Sequence, residues 1–424
     1  MVKNEKKVNI AILGFGQEGK AIFKYLKKSP QYKNTGISIL DKKTNKNYLK
    51  NLNRFDIIFR SPGVPYNLSE IQKAIKNGVK FSSSTDLFFQ NAKKIGCKII
   101  GITGTKGKGT TSTLLYQILK SAKKDVYLAG NIGKPAIELL PKIKKKSIVI
   151  LELSSFQLQD LNPPAGGPDI AVILDIFPDH LDAHKNLKEY FEAKSNIAKW
   201  QKKSDKIFYF DDSKRSKLIA EKSPAKKISV KNYLKNFNFD LKIPGKHNLK
   251  NSVMAATIAK NLGIDKKIIL KTIKNFKGVE HRLEFVRQIG NIIFYNDSAS
   301  TNPYTAAAAI KAFSEPKVLI AGGKDKNLDY SPFTKALKNS NTKLIILFGE
   351  NKKKIEKAVV KSGIPVKLIK TLKNAVNLAY QKSKNYNLKP KNYILFSPAS
   401  ASFDMFKDYK DRGEKFKKMV RKLK

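Results

Sequence analysis

The chain has 424 residues, so at roughly 150 residues per domain it holds two to four domains. Hydrophobic residues make up 41% and aromatics 10%, enough to build packed cores and to exclude a disordered chain. A single cysteine, Cys97, rules out an internal disulfide and a cysteine-built zinc site.

The formal net charge is +50, yet only seven of the 84 basic residues are arginine and the rest are lysines spread over every region. Nucleic-acid interfaces favour arginine for its bidentate fork. The expectation is therefore solvated lysine faces and no nucleic-acid partner, with attraction for polyanionic small molecules such as nucleotides. No apolar run approaches the ~20 residues that span a bilayer. The charged start, Met1 to Lys7, is followed by too short an apolar stretch for a secretory signal. A cytoplasmic, soluble, monomeric protein is expected.

The opening alternates strand and helix. Val8 to Leu13 reads as a buried parallel strand, followed by Gly14-x-Gly16-x-x-Gly19 and a helix over Lys20 to Lys27. A second strand, Ile37 to Leu40, ends in Asp41; a third, Phe55 to Phe59, runs into Arg60-Ser61-Pro-Gly63-Val64. Glycines let a backbone approach a pyrophosphate at a helix N-terminus, and an acid ending the next strand can hold a hydroxyl. By itself the motif fits NAD, any nucleoside diphosphate, or a strand–helix turn with no ligand.

A second unit begins with a strand at Lys98 to Ile102, then Gly104-Thr105-Lys106-Gly107-Lys108-Gly109-Thr110, then a helix from about Thr111. Successive backbone N–H groups there can cradle phosphates, with Lys108 as the point charge. Two positions differ from an ordinary phosphate loop: Ile102 replaces its first glycine, and Gly109 replaces the hydroxyl residue after the lysine. Further strands are expected at Ser147 to Leu153, Ile170 to Leu174 and Lys206 to Phe210. Glu152, near the end of its strand, is either a magnesium ligand or an exposed strand-end acid. His180, within Asp175 to Asp182, follows another strand at the sheet edge where ligands bind, and is read as a ligand or orienting residue. A third unit starts near His281-Arg282, with strands at Ile292 to Tyr295, Lys317 to Ala321, Leu344 to Phe348 and Tyr393 to Phe396. Strands alternating with helices make this an α/β protein built on parallel sheets.

Taken together, the motifs resemble the Mur ligase superfamily of ATP-dependent amide-forming enzymes. They are Ser61 to Val64, Gly104 to Lys108, Asn131-Ile-Gly133, Leu151 to Leu158, Pro178 to Asp182, Ala193-Lys194, Gly245 to Asn251, His281-Arg282, Asn296 to Ser298 with Thr301-Asn302, Gly322-Gly323 with Lys326, and Ser397 to Asp404. The last, with Phe406 and Arg412-Gly413, resembles the branch that adds D-glutamate. The resemblance implies an N-terminal Rossmann-like domain over 1–95 for a UDP-sugar, a central P-loop-type ATPase domain with a parallel sheet over 96–278, and a C-terminal Rossmann-like α/β domain over 279–424. The third would close on ATP and bind D-glutamate. It implies ATP and magnesium, with UDP-N-acetylmuramoyl-L-alanine and D-glutamate as substrates. The catalytic set would be Lys108, His180 and Lys194, with Glu152, His180 and a carbamylated Lys194 on the metal. Gly104 to Thr110 with Asn248, Asn251, Arg282 and Asp297 would hold the nucleotide. Gly14, Gly16, Asp41, Ser61, Gly63 and Asn131 would hold the UDP-sugar, and Thr301, Lys326, Ser402 and Tyr409 the amino acid. This chain departs from the resemblance at Gly109, where a hydroxyl is expected, at Ala299, where lysine is frequent, and at Asp175, where asparagine is common. The alternatives are a sister ligase with another amino acid or a folate-type ligase, a nicotinamide-dependent oxidoreductase, and, third, a basic nucleic-acid-binding protein. The Ser397 to Asp404 block argues against the first; the phosphate loop and Glu152 are unexplained by the second.

Overall fold

A computed structural model describes residues 8–33, 35–162, 166–177, 184–230, 241–243, 246–326, 328–385 and 391–424. The chain divides into two compact units, Met1–Asn238 with Lys250–Thr272, and Phe239–Leu249 with Ile273–Lys424.

The first unit contains two parallel sheets. Strands β1 (Asn9–Leu13), β2 (Gly36–Leu40), β3 (Ile57–Arg60) and β4 (Lys80–Ser82) lie in the order β2-β1-β3-β4. Strands β5 (Lys98–Thr103), β6 (Val126–Gly130), β7 (Ile148–Glu152), β8 (Ile170–Ile173), β9 (Lys206–Tyr209) and β10 (Lys226–Ser229) lie in the order β10-β9-β8-β5-β7-β6. Helices cover both faces, so the central strands are almost wholly apolar, as in Ile99, Ile100, Val149, Ile150, Ala171 and Val172.

The second unit carries β11 (Glu284–Ile289), β12 (Ile292–Asn296), β13 (Lys317–Ala321), β14 (Thr342–Leu347), β15 (Val366–Leu368) and β16 (Asn392–Phe396), ordered β11-β12-β16-β13-β14-β15. Within β13, Val318 and Ile320 pack into one core and Leu319 and Ala321 into another. That is the period of two expected of a strand covered on both faces. This sheet is mixed: β11 runs antiparallel to β12. Only Gly290 and Asn291 separate those two strands, and Gly290 has φ 57, so the chain turns directly into a hairpin instead of crossing over. The expected Rossmann-like α/β third domain is present, and β11 adds an antiparallel edge to its parallel strands. Strands β4, β6, β10, β11 and β15 have no counterpart in the sequence reading. Among the described residues no helix is long and apolar enough to cross a membrane.

Lys317 opens β13 fully buried, and its Nζ has no hydrogen-bond partner among the described residues. Burial pushes its pKa down to about 8; Glu315 nearby pulls the other way. The unfolded chain thus binds a proton that the folded chain resists between about pH 8 and the free-lysine value of 10.5. The resulting penalty is full below the folded pKa and vanishes above the unfolded one. Lys317→Met is expected to raise unfolding free energy at pH 7 by roughly 2–3 kcal/mol, and by progressively less towards pH 10. Denaturant titrations of both proteins across that range check the size and the direction.

Candidate active site at the phosphate loop

The loop after β5 is shaped by two glycines. Gly104 has φ 151, and a Cβ there would lie 2.7 Å from the Cβ of Leu174. Gly107 has φ 87, and a Cβ there would lie 2.4 Å from Oδ1 of Asn251. Both backbones therefore run where a side chain is strained and has no room. The Thr105 N–H donates to the Asp175 carbonyl at 2.8 Å, and its hydroxyl lies 2.8 Å from the Tyr190 hydroxyl. The helix Lys108–Ser121 then starts directly from Gly107, three residues earlier than the sequence pattern suggests. Its first-turn N–H groups and dipole make this end an anion site. The Lys108 ammonium donates back to the carbonyls of Gly104, at 2.9 Å, and Thr105, at 3.1 Å. Lys106 is exposed on the loop, Gly109 is buried and Thr110 half-buried.

Parallel pairing places Glu152 at the end of β7, level with Ile102 of β5 and Gly130 of β6. It is buried, not an exposed strand-end acid. Asn131 donates its side-chain amide to Oε1 of Glu152 at 2.8 Å, while Oε2 is buried without a hydrogen-bond partner among the described residues. A buried carboxylate oxygen lacking a donor is costly unless a cation faces it. With the phosphate loop one strand away, the donor set fits a divalent ion bridging protein and phosphate. Lys194 lies on the helix Leu187–Lys199 and is buried, where the sequence alone would show only one lysine among many. Its Nζ donates to the Gly104 carbonyl at 3.0 Å and stands 4.8 Å from the centre of the Tyr190 ring. His180 lies outside the described residues.

Asp175 is explained by a partner that sequence reasoning missed. Lys250 reaches both of its oxygens, at 3.0 and 3.1 Å, and also Asp212, at 2.8 Å, over the ring of Phe210. The residues come from the segments that follow β8 and β9 and from the helix Lys246–Asn261, so no local pattern announces the cluster. Asn251 lies on the same helix and abuts Gly107; Asn248, further along it, is also buried.

At the corresponding edge of the first sheet, Gly14 takes φ 87 and its carbonyl accepts the Ser61 hydroxyl at 2.6 Å. Asp41 accepts the N–H groups of Phe15 and Lys43, which hold its carboxyl below the usual range. Gly16 caps the helix Gln17–Lys28, and Gly63 sits in the turn closed by Val64 N–H to the Ser61 carbonyl. Nothing lies within 4 Å of where a Cβ would be at either glycine, leaving space for a ligand.

In the second unit, Asp297 is fully enclosed at the end of β12. It accepts the hydroxyls of Ser300 and, at 2.7 Å, Ser397. Burial still pushes its pKa up to about 6. Arg282 projects from a turn in which His281 and Leu283 have φ 62 and 45. His281 is buried against Gly413, where a Cβ would lie 2.2 Å from its Nδ1. Glu280, His281 and Glu414 cluster as metal ligands might, but the Lys417 ammonium already sits 2.7 Å from Glu280 and 2.6 Å from Glu414. Buried Arg412 donates to the Ser298 carbonyl and hydroxyl and to the carbonyls of Ser400 and Ala401. It thereby ties together the two loops that carry Thr301 and Ser402. Lys326 is exposed with its Nζ 5.9 Å from the Phe403 ring centre, and Tyr409 is partly exposed. Nothing in the structure explains Ala299.

Residues 102–237 match the Mur ligase middle domain and residues 281–399 the Mur ligase glutamate ligase domain. The chain is 36% identical over 403 residues to the UDP-N-acetylmuramoylalanine–D-glutamate ligase of Clostridium tetani, covering 89% of this chain and 85% of that one. Among solved structures, the UDP-N-acetylmuramate–alanine ligase of Thermotoga maritima superposes with a TM-score of 0.57 at 18% identity, over 98% of this chain and 100% of that one. A further Mur ligase of Thermotoga maritima, solved in complex with ADP, superposes at 0.55 and 17% identity, over 99% of this chain and 96% of that one. These two share the three-domain architecture. By sequence identity across most of its length, the chain belongs to the Mur ligase family, in its group of UDP-N-acetylmuramoylalanine–D-glutamate ligases.

Proposed function

We propose that the protein joins D-glutamate to UDP-N-acetylmuramoyl-L-alanine at the expense of ATP, in peptidoglycan precursor synthesis. The observation that carries this reading is Oε2 of Glu152, without a hydrogen-bond partner among the described residues, beside a phosphate loop whose Gly104 carbonyl holds both Lys108 and Lys194. The protein acts as a monomer in the cytoplasm, where ATP and the nucleotide-linked precursor are found. Its domains are 1–95 for the UDP-sugar, 96–278 for ATP and 279–424 for D-glutamate and closure.

A carboxylate is a poor electrophile because oxide is a bad leaving group. The substrate carboxylate oxygen attacks the γ-phosphorus of ATP, ADP departs, and an acyl phosphate results. The amine of D-glutamate adds to the acyl carbon; the tetrahedral adduct expels phosphate, and the nitrogen gives up a proton as the amide forms. Glu152, His180 and a carbamylated Lys194 would hold magnesium, which would supply charge neutralisation on the phosphates. Lys108 swings from its loop carbonyls to the transferring phosphate, while the N–H groups of Gly104 to Thr110 hold the chain of phosphates in line. Asn248, Asn251, Arg282 and Asp297 hold the rest of the nucleotide. Gly14, Gly16, Asp41, Ser61, Gly63 and Asn131 grip the UDP-sugar, and His180 also orients the incoming amine. Thr301, Lys326, Ser402 and Tyr409 receive D-glutamate.

Carbamylation suits the surroundings of Lys194. An ammonium there would repel the metal, whereas a carbamate offers two hard oxygens. Reaction with carbon dioxide needs a neutral amine.

Phosphate release is expected to require UDP-N-acetylmuramoyl-L-alanine, ATP and magnesium together and to be fastest with D-glutamate; equal turnover with L-lysine, diaminopimelate or L-glutamate overturns the assignment. Lys108→Ala is expected to lower kcat by about 10²–10³ with an unchanged melting temperature, because it removes a charge facing the transferred group. Wild-type protein equilibrated with carbon-13 bicarbonate is expected to give a carbamate signal that Lys194→Ala lacks. That variant should be nearly inactive and partly rescued by a short organic acid. A missing signal together with full activity in degassed buffer rejects the carbamate.

A further inference from the structure

Arg60 ends β3, immediately before the Ser61–Val64 turn, and is completely buried. Its fork meets Asp160 through Nη2 at 2.7 Å and Nε at 3.2 Å. The same guanidinium donates through Nη1 to the Val64 carbonyl and through Nη2 to the Phe156 carbonyl at 3.1 Å, with Tyr66 stacked 5.3 Å away. One side chain thus grips two segments of the first unit. On one side it holds Val64, whose side chain fills the space at Gly14 that a Cβ would need, beside Ser61 and the glycine turn. On the other it holds the helix Ser155–Leu158, which starts three residues beyond Glu152 and is fixed by the Ser154–Gln157 capping box. Gln157 returns the link, donating to Glu18 on the helix that follows the glycine turn, at 3.1 Å. Asn67 adds another, donating to both oxygens of Glu189 at 2.7 and 2.9 Å.

Stability is a poor explanation for this arrangement. Burying an ion pair costs both partners their hydration, and an apolar pair of similar volume commonly does as well. Burial pushes the Asp160 carboxyl above the ordinary range even with Arg60 against it. What an apolar pair could not supply is a planar fork that fixes the Val64 and Phe156 carbonyls at once.

We propose that Arg60 is a positioning residue for the UDP-sugar: paired with Asp160, it sets the spacing between the turn that receives the diphosphate and the segment that carries the metal carboxylate. This rests on the functional reading above. A loosened Arg60 leaves the chemistry groups in place but lets the two ends of the substrate site drift apart, and such drift weakens grip on the one ligand that spans both.

The test compares full-length Arg60→Met, Asp160→Leu, the double variant Arg60→Met/Asp160→Leu, and Arg60→Lys. Each single apolar change strands a buried charge and should lower the melting temperature. The double variant removes both charges and should recover it. KM for UDP-N-acetylmuramoyl-L-alanine should nonetheless stay raised by about tenfold or more in the double variant, with KM for D-glutamate within twofold of wild type. Arg60→Lys keeps the ion pair but loses the fork, and should show the same selective rise with near-wild-type melting. Where the double variant fails to recover its melting temperature, Arg60→Lys alone decides. Recovery of the UDP-sugar KM along with stability, or an unchanged KM in Arg60→Lys, overturns the proposal. If wild type itself does not turn over the UDP-sugar, the functional reading falls instead.

Discussion

The carbonyl oxygen of Gly104 accepts two ammonium groups, Lys108 from its own loop and Lys194 from a helix ninety residues on. That shared acceptor gathers two basic side chains at the loop, and positive charge gathered there suits a polyanion such as a nucleotide's phosphates. Oε2 of Glu152, at the end of the neighbouring strand, has no hydrogen-bond partner among the described residues, and a metal with phosphates is what would complete the set.

The same physics accounts for the second unit in a different idiom. There three of the buried charges are met by the protein itself: Asp297 by hydroxyls, Arg412 by carbonyls, Lys417 by carboxylates. These groups shape loops and turns, leaving Arg282, Lys326 and Tyr409 with exposed surface.

What the sequence made legible was whatever depends on near neighbours. Apolar runs announced the central strands, glycine spacing announced both strand–helix turns, and Glu152 was readable because it ends a strand next to the glycine-rich loop. Short edge strands were not legible: β10 (Lys226–Ser229) and β15 (Val366–Leu368) carry lysines and bury little, so they lack the apolar signature of a strand. Lys194 could be picked out only through resemblance, since its burial depends on how its helix is rotated against Tyr190 and the loop. Lys250 with Asp175, and Arg60 with Asp160, were invisible because their meaning lies in a partner far along the chain.

That last distance bears on how the protein is made. Arg60 must wait for Asp160, 100 residues later, and Asn67 for Glu189, 122 residues later. Chains emerge at about 5–20 residues per second, so the first sheet spends roughly 5–20 s on the ribosome with a cation in its future interior and nothing to neutralise it. During that interval the links from Arg60 to Asp160 and to the Phe156 carbonyl cannot form, so completion of that edge of the first sheet waits on synthesis of the second.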